Sequence, residues 1–499
     1  MIWDQWLPAL VVASSLLPGI VIFFLPEDRG GWRTFLNLAG AVLKLVFVAI
    51  MLWGVSREHT FETSYVLLPG LEFKLHADAL SLLFVTLSAF LWLLTTVYAI
   101  GYLEGSPNRS RFFGFFSLCV CATTGVALAG NLFTFLIFYE MLTLATYPLV
   151  VHRGTEQSIR AGRIYLVYTL LGSAALLLGV VWLSSIVGSL DFTEGGFLGG
   201  VDPAHHTSLV VIFALMIVGV GVKAALVPMH GWLPAAMVAP APVSALLHAV
   251  AVVKAGAFGV VRIVYGVFGV GFCSTLGVTG PLAVLAAVTI IYGSIRAAYQ
   301  DDLKRRLAFS TISQVSYIVL GVAILGPLAT TGGIVHLVHQ GLMKITLFFC
   351  AGNLAETLGI HRVSEMNGVG RRMPWTMVAF TVGALGMIGV PPTAGFISKW
   401  YLATGAAEAE QPWFILVLVI SSLLNAVYFL PIVYAAWFKQ PAGPWPADRR
   451  FGGRFETRIT LLVPPLLTAF LIVAAGLLAN APFSPLAWVK LIVAREYGP

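Results

Sequence analysis

An all-α polytopic membrane protein is the fold class that this 499-residue sequence predicts, and three observations predict it. Hydrophobic residues make up 59% of the chain against 10% charged. A soluble domain carries about 25% charged residues, so this chain has too little polar surface to coat a globule, and it is too apolar to stay disordered. The mean hydropathy is +0.91. Finally, apolar runs of about 18 residues or more, the length that crosses a bilayer, recur along the whole chain.

Taken in order, these runs lie near residues 5–25, 33–55, 78–102, 112–129, 131–151, 161–188, 208–236, 240–265, 276–298, 307–325, 330–357, 374–404, 413–438 and 459–480, about 14 transmembrane helices. The first follows a start, Met1-Ile-Trp-Asp-Gln-Trp, without a basic region, and precedes Glu27 and Asp28 instead of a small-residue cleavage site. It therefore reads as a retained helix. The longest connections, 56–77, 189–207 and 439–458, are too short for a soluble domain, so residues 1–499 read as a single transmembrane domain.

The distribution of Lys and Arg predicts the orientation. Connections 1-2, 3-4, 5-6, 9-10, 11-12 and 13-14 hold nineteen of the 29, including Arg109, Arg153, Arg160, Lys304, Arg305, Arg362, Arg449, Arg450 and Arg454. The opposite side and the C-terminal tail hold only Arg57, Lys74, Arg262, Lys490 and Arg495. The positive-inside rule then places both termini outside. The net charge of +7 is thus explained by topology, and nucleic acid is not an expected partner. Cys119, Cys121, Cys273 and Cys350 are scattered through apolar runs without metal-ligand spacing, so no metal or cofactor site is expected.

The remaining basic residues, Lys44, Lys223, Lys254, Lys344 and Lys399, fall inside apolar spans. At the bilayer centre each would cost about 2.5–3.5 kcal/mol on insertion scales, which a purely structural bundle has little reason to carry. Glu140 on span five is the only carboxylate deep within a span. It should be protonated or matched by a cation, and the intramembrane lysines are the available partners; the competing reading is an ion pair that only fixes helix packing.

Span seven contains Lys223-Ala-Ala-Leu-Val-Pro228-Met-His230-Gly-Trp-Leu-Pro234, and span twelve Gly389-Val-Pro391-Pro392-Thr-Ala-Gly395-Phe-Ile-Ser-Lys399. Pro228 has no N–H and frees the carbonyl at Ala224, so the helix should break beside Lys223. Two Gly/Pro-interrupted spans, each with a lysine, fit corresponding positions of a transporter built from two repeats. These would be spans 4–8 (112–265) and 9–13 (276–438), after N-terminal helices within 1–111 and before a last helix at 459–480. An ordinary proline kink accounts for either break alone, less readily for the matched pair.

On span eight Ser244 and His248 share a face, with Lys254 about 120 degrees round from His248. Span eleven carries His336, His339, Gln340 and Lys344 at i, i+3, i+4 and i+8, and span ten carries Ser310, Ser313, Gln314 and Tyr317 at i, i+3, i+4 and i+7. Such stripes must face each other or a wet interior. One acid, several lysines and histidines, and hydroxyl or amide groups are the parts of a proton wire. Burial disfavours a charged amine and a nearby carboxylate favours it, so movement of Glu140 could switch Lys223 between holding and releasing a proton. A single deep carboxylate disfavours sodium, although carbonyls at the breaks could supply oxygen ligands.

Phe-Tyr-Glu140, Val222-Lys223 with Pro-Met-His-Gly-Trp-Leu-Pro, Ser-Ala-Leu-Leu-His248 followed by Lys254-Ala-Gly, Asp302-Leu-Lys-Arg-Arg-Leu-Ala-Phe-Ser-Thr-Ile-Ser-Gln, and His336 to Lys344 together resemble the antiporter-like subunits shared by respiratory complex I and Mrp cation/proton antiporters. The resemblance spans about three quarters of the chain. It implies a fourteen-helix fold with two inverted five-helix repeats and broken helices 7 and 12. It also implies roles: Glu140 pairs with Lys223, Lys254 is the central relay, His248 and His336 bridge, and Lys399 is the terminal proton site. Lys44 receives no role.

Lys399 in Gly-Phe-Ile-Ser-Lys-Trp-Tyr is most similar to the D-type subunit of Mrp systems, which implies sodium/proton exchange, other membrane subunits as partners, and a bacterial-type cytoplasmic membrane. The alternatives are an M-type proton-pumping subunit of complex I or a membrane-bound hydrogenase, and a membrane scaffold whose buried charges only hold subunits together. An intramembrane enzyme is a further class, but no nucleophile-base set or metal motif supports it.

Overall fold

The computed structural model describes residues 2–68, 71–441, 443, 445 and 455–498; Arg449, Arg450 and Arg454, which entered the orientation above, lie outside them. The helices are α1 (Ile2–Phe23), α2 (Gly30–Val55), α3 (Ala79–Tyr102), α4 (Arg109–Leu128), α5 (Leu132–Val150), α6 (Glu156–Ile186), α7 (His206–Lys223), α8 (Ala241–Phe268), α9 (Thr279–Ala298), α10 (Leu303–Ala323), α11 (Pro327–Leu358), α12 (Pro374–Ile388), α13 (Ala394–Glu408), α14 (Trp413–Phe438), α15 (Ile459–Leu477) and α16 (Pro485–Tyr497). Among the described residues thirteen helices are long and apolar enough to cross a membrane, and α12 with α13 forms one further, interrupted crossing. The fourteen expected runs are thus accounted for, span twelve as two half-helices.

Local sequence explains many starts. Asp78, Asn131, Thr155 and Asp302 cap α3, α5, α6 and α10, each accepting a backbone N–H from the first turn. The connection at 56–77 is more ordered than a loop: β1 (Phe61–Leu68) and β2 (Leu71–Ala77) form an antiparallel hairpin that pairs Phe61 with Ala77. Its second strand is tied to the α4–α5 turn by Gly130 N–H donating to Lys74 O at 2.8 Å.

The apolar stretches of α8, α10 and α11 are enclosed by the other helices, whereas α1, α2, α14 and α15 present large apolar flanks. These three carry most of the polar residues singled out above, and enclosure by the other helices keeps those groups away from lipid. The α4–α8 and α9–α14 groups each make five crossings, counting α12 with α13 as one. An odd number of crossings makes the second group start on the face opposite the first, which gives the inversion. In both groups the fourth crossing is the broken one, at Ala224–Gly231 and Gly389–Thr393.

Each break has a cis X-Pro bond, Val227-Pro228 and Pro391-Pro392. Around the first, Trp232 Nε1 donates to Val222 O at 2.7 Å and Val227 N to Thr289 Oγ1 at 3.1 Å, so neighbouring groups take up backbone that the helix has released. Gly256 of α8 packs directly on it: a Cβ there would lie 2.2 Å from Ala224 N.

Candidate functional site

At the first break α7 ends on Lys223, which is fully buried. Its ammonium donates to the backbone carbonyl of Tyr139 and sits 3.2 Å from the centre of that tyrosine ring. The Tyr139 hydroxyl returns to α7, donating to Gly219 O at 3.1 Å. The expected direct pairing of Lys223 with Glu140 is not made among the described residues. Glu140 follows Tyr139 on α5, where its side chain is half-buried with Oε1 lacking a hydrogen-bond partner. The reason is geometric: adjacent helical residues point about 100 degrees apart, so the lysine that docks on Tyr139 leaves the next side chain on a different face.

The centre of the site lies on α8. Residues Leu246–Val250 form a π-helical turn, and Arg262–Phe268 a second one, with Lys254 on the regular helix between them. This corrects the 120-degree estimate between His248 and Lys254, because a π-turn adds a residue and rotates everything beyond it. Lys254 is fully buried and donates to Leu337 O at 2.7 Å. The His248 ring stacks on Phe348 at 4.4 Å, and neither of its nitrogens has a hydrogen-bond partner among the described residues. Ser244, expected to share its face, bonds back to Pro240 O at 3.4 Å and makes no link to it.

Helix α11 delivers the polar stripe to two neighbours. His336 is 2.8 Å from Ser398 Oγ on α13 through Nδ1 and 3.1 Å from Gln314 Oε1 on α10 through Nε2, with the Tyr317 ring 5.3 Å away. Lys344 donates to Ser310 Oγ at 2.7 Å and to Leu307 O at 3.1 Å. The two stripes therefore do face each other at these points. Ser313 instead turns to Ser294 at 2.8 Å. His339 and Gln340 are buried, and their side chains have no hydrogen-bond partner among the described residues. His230 lies at the first break, half-buried against Tyr292 at 4.9 Å and apart from the central chain.

At the second break the released carbonyls hold the lysine. Lys399 donates to Met387 O at 2.9 Å, to Ile388 O at 2.8 Å and to Ser422 Oγ at 2.9 Å. An ammonium on the last carbonyls of half-helix α12 sits where the helix dipole is negative. Gly389, at φ +91°, ends that half-helix in the left-handed region, and a Cβ there would lie 2.8 Å from Lys399 Cδ.

A hydrogen-bonded chain joins Lys344 to Lys399. From Ser310 Oγ it runs 2.8 Å to the Tyr428 hydroxyl, which donates to Asn425 Oδ1; Asn425 Nδ2 donates to Met387 O at 3.0 Å, the carbonyl that also accepts from Lys399. The sequence reading missed Ser398, Ser422, Asn425 and Tyr428. Ser421, Asn425 and Tyr428 recur at i, i+4 and i+7 in span thirteen, the same signal that marked span ten. Lys44 stands apart, donating to Ser15 Oγ at 2.8 Å and Thr124 Oγ1 at 2.7 Å among α1, α2 and α4.

Chemically, Lys223, Lys254, Lys344 and Lys399 are each held by carbonyls and hydroxyls and make no ion pair among the described residues. Such ligands accept from an ammonium without pinning its charge as a bonded carboxylate would. Among the described residues no group of three or more His, Cys, Asp or Glu is placed to hold a metal ion.

Enclosed lysines and histidines on interrupted helices, inside a fourteen-crossing bundle with inverted repeats, define a class of polytopic membrane protein with ionisable groups buried among its spans. The family described as NADH:quinone oxidoreductase/Mrp antiporter, TM, matches residues 129–425, and the complex I chain 5 N-terminus family matches residues 70–113. The chain belongs to the first of these families, which is that of the antiporter-like subunits of complex I and Mrp systems. It is 40% identical to NADH-quinone oxidoreductase subunit N of Desulforudis audaxviator, over 82% of this chain and 83% of that protein. It is 28% identical to the D-type subunit of the Na(+)/H(+) antiporter of Bacillus subtilis, over 92% of each. The fold matches a chain of the Mrp complex from Dietzia sp. DQ12-45-1b with a TM-score of 0.88 at 24% identity, covering 100% of this chain and 98% of that one.

Proposed function

We propose that this chain is a proton-translocating subunit of a multisubunit membrane complex, and that protons move along Glu140, Lys223, His248, Lys254, His336, Lys344 and Lys399. The observation that carries this reading is the set of four buried lysines bonded only to carbonyls and hydroxyls, with Lys344 and Lys399 on one hydrogen-bonded network of Ser310, Tyr428, Asn425 and the Met387 carbonyl. An ammonium so held can give up its proton, since no bonded counter-charge is left behind. The half-buried Glu140 carboxyl, on the flank of the subunit, is placed to rotate toward or away from Lys223 and so bias its protonation. In this reading the repeats are 112–265 and 276–438, and both termini lie outside a bacterial-type cytoplasmic membrane with the arginine-rich connections inside.

Two assemblies would use this relay. An Mrp-type sodium/proton antiporter, with this chain as its D-type subunit, is supported by the match over 92% of the Bacillus protein and by Lys399 at the terminal position. A redox-driven proton pump is supported by the 40% identity to a quinone oxidoreductase subunit. Mass spectrometry of partners co-purifying in mild detergent separates the two: small hydrophobic subunits with a larger antiporter-like one indicate Mrp, and iron-sulfur and flavin proteins indicate the pump. For the relay itself, Lys223→Ala should abolish proton movement in membrane vesicles while the complex still assembles. Full activity in that variant would sink the relay.

A further inference from the structure

The face that carries the termini holds a second group of ionisable residues with no place in the relay. Asp78, at the start of α3, and Arg262, on α8, form a two-pronged pair, Nη1 to Oδ2 at 2.5 Å and Nη2 to Oδ1 at 2.9 Å; Nη2 also donates to Ser81 Oγ at 2.7 Å. Arg262 is only 5% exposed, and its Nε has no hydrogen-bond partner among the described residues. Helix α16 lies over this end of the bundle, its Trp488 Nε1 donating to Ala79 O at 2.8 Å. From α16 Glu496 accepts the Gly195 N–H at 3.2 Å and lies near enough to Arg262 and Asp78 to feel their charges, without bonding to either. Beside it the Tyr497 hydroxyl is 2.8 Å from Thr330 Oγ1, itself 2.7 Å from the Tyr265 hydroxyl.

We propose that Asp78, Arg262 and Glu496, gathered beneath α16, form the site through which protons pass between the buried relay and water on the side of the termini. This rests on the proton-relay reading above.

Position supports it from two directions. Arg262 is eight residues from Lys254 on α8, about 12 Å at 1.5 Å per residue, and Thr330 is six residues from His336 on α11, about 9 Å. The group therefore closes off the same enclosed helices that carry the centre of the relay.

The charges divide the labour. Burial pushes the Asp78 carboxyl up, but Arg262 and the Ser81 bonds hold it down at about 2, so it is a fixed charge. Burial pushes Glu496 up to about 7, against the pull of the Gly195 N–H and Arg262 and with the push of Asp78 and Glu194. The facing groups are thus Asp78 from α3, Arg262 and Tyr265 from α8, Thr330 from α11, and Glu194 from the loop. Arg495 on α16 is engaged with Glu194 at 3.7 Å, leaving Glu496 as the carboxyl free to exchange a proton near neutrality. The unpartnered Nε of Arg262 offers a donor for water on that path. A purely structural tail anchor needs the Asp78–Arg262 and Arg495–Glu194 pairs; it does not need a third, half-buried carboxyl beside them.

The test uses membrane vesicles containing the whole complex, with pH on the two sides varied separately. Glu496→Gln should lower the proton flux about tenfold and flatten its dependence on pH on the termini side around neutrality, with dependence on the other side unchanged. Glu496→Asp should restore flux with a shifted midpoint. An unchanged profile on the termini side in Glu496→Gln overturns the proposal, and so does failure of both variants to assemble, which would make the carboxyl a structural clamp. Lys223→Ala is run alongside: if it is fully active the relay itself is wrong, whereas an inactive Lys223→Ala with a normal Glu496→Gln rejects this site alone.

Discussion

Replacing Lys254 with methionine separates a relay from a scaffold, because the two readings predict opposite changes in stability. Lys254 is fully buried, and among the described residues its ammonium makes one hydrogen bond, to Leu337 O, and no ion pair. A lysine at the bilayer centre costs about 2.5–3.5 kcal/mol on insertion scales. A hydrogen bond from a charged donor returns about 1.5–3 kcal/mol. Methionine has nearly the same length, fills the site and removes both terms, so the variant should be between unchanged and about 2 kcal/mol more stable. Proton flux should fall to background, because no group at this position can then take up a proton. The assays are thermal denaturation of the purified complex in detergent and flux in vesicles. A complex that loses stability or subunits in proportion to its lost flux would refute this reasoning and show that the charge holds the bundle together.

Three further outcomes follow from the geometry. Gly256→Ala puts a Cβ 2.2 Å from Ala224 N and 2.6 Å from Lys223 C; backbone cannot rotate away, so melting should report a loss of about 1–3 kcal/mol and flux should fall as Lys223 shifts. Lys44→Met should leave flux within about twofold of the parent, since Ser15 and Thr124 hold Lys44 away from the chain that ends on Lys399; loss of flux with assembly intact would give that lysine a role. Asp78 has an ordinary value of 3.8 and is held at about 2, so the stability it contributes is fully present above pH 4 and is lost as the pH falls through 2. Asp78→Asn should therefore cost about 2 kcal/mol near neutrality and flatten the acid limb of a melting-temperature profile; an unaltered acid limb would count against the Arg262 pair.

Much of the fold could be read from the chain because the bilayer imposes a simple rule: a backbone in hydrocarbon must bond to itself, so an apolar run of sufficient length becomes a helix. Lys223 and Pro228, or Gly389 and Pro391, mark the breaks by the same logic, since proline has no donor and frees a carbonyl. The hairpin at Phe61–Ala77 was less legible, because Glu62, Lys74 and His76 make it polar, and its order comes from pairing across the strands and to Gly130.

Which residues are costly to bury, how often the chain crosses, and where two of the crossings are interrupted could all be read from the residues in order, since composition, length and missing N–H groups are local properties. Their partners, by contrast, follow from how the helices pack. Lys223 docks on Tyr139 and not on Glu140, the π-turn at Leu246–Val250 re-aims Lys254, and Tyr428 and Asn425 join Lys344 to Lys399. Those choices depend on the rotation of one helix against another. Helical phase fixes a side chain's direction only relative to its own axis, so a single extra residue in a turn redirects every group beyond it.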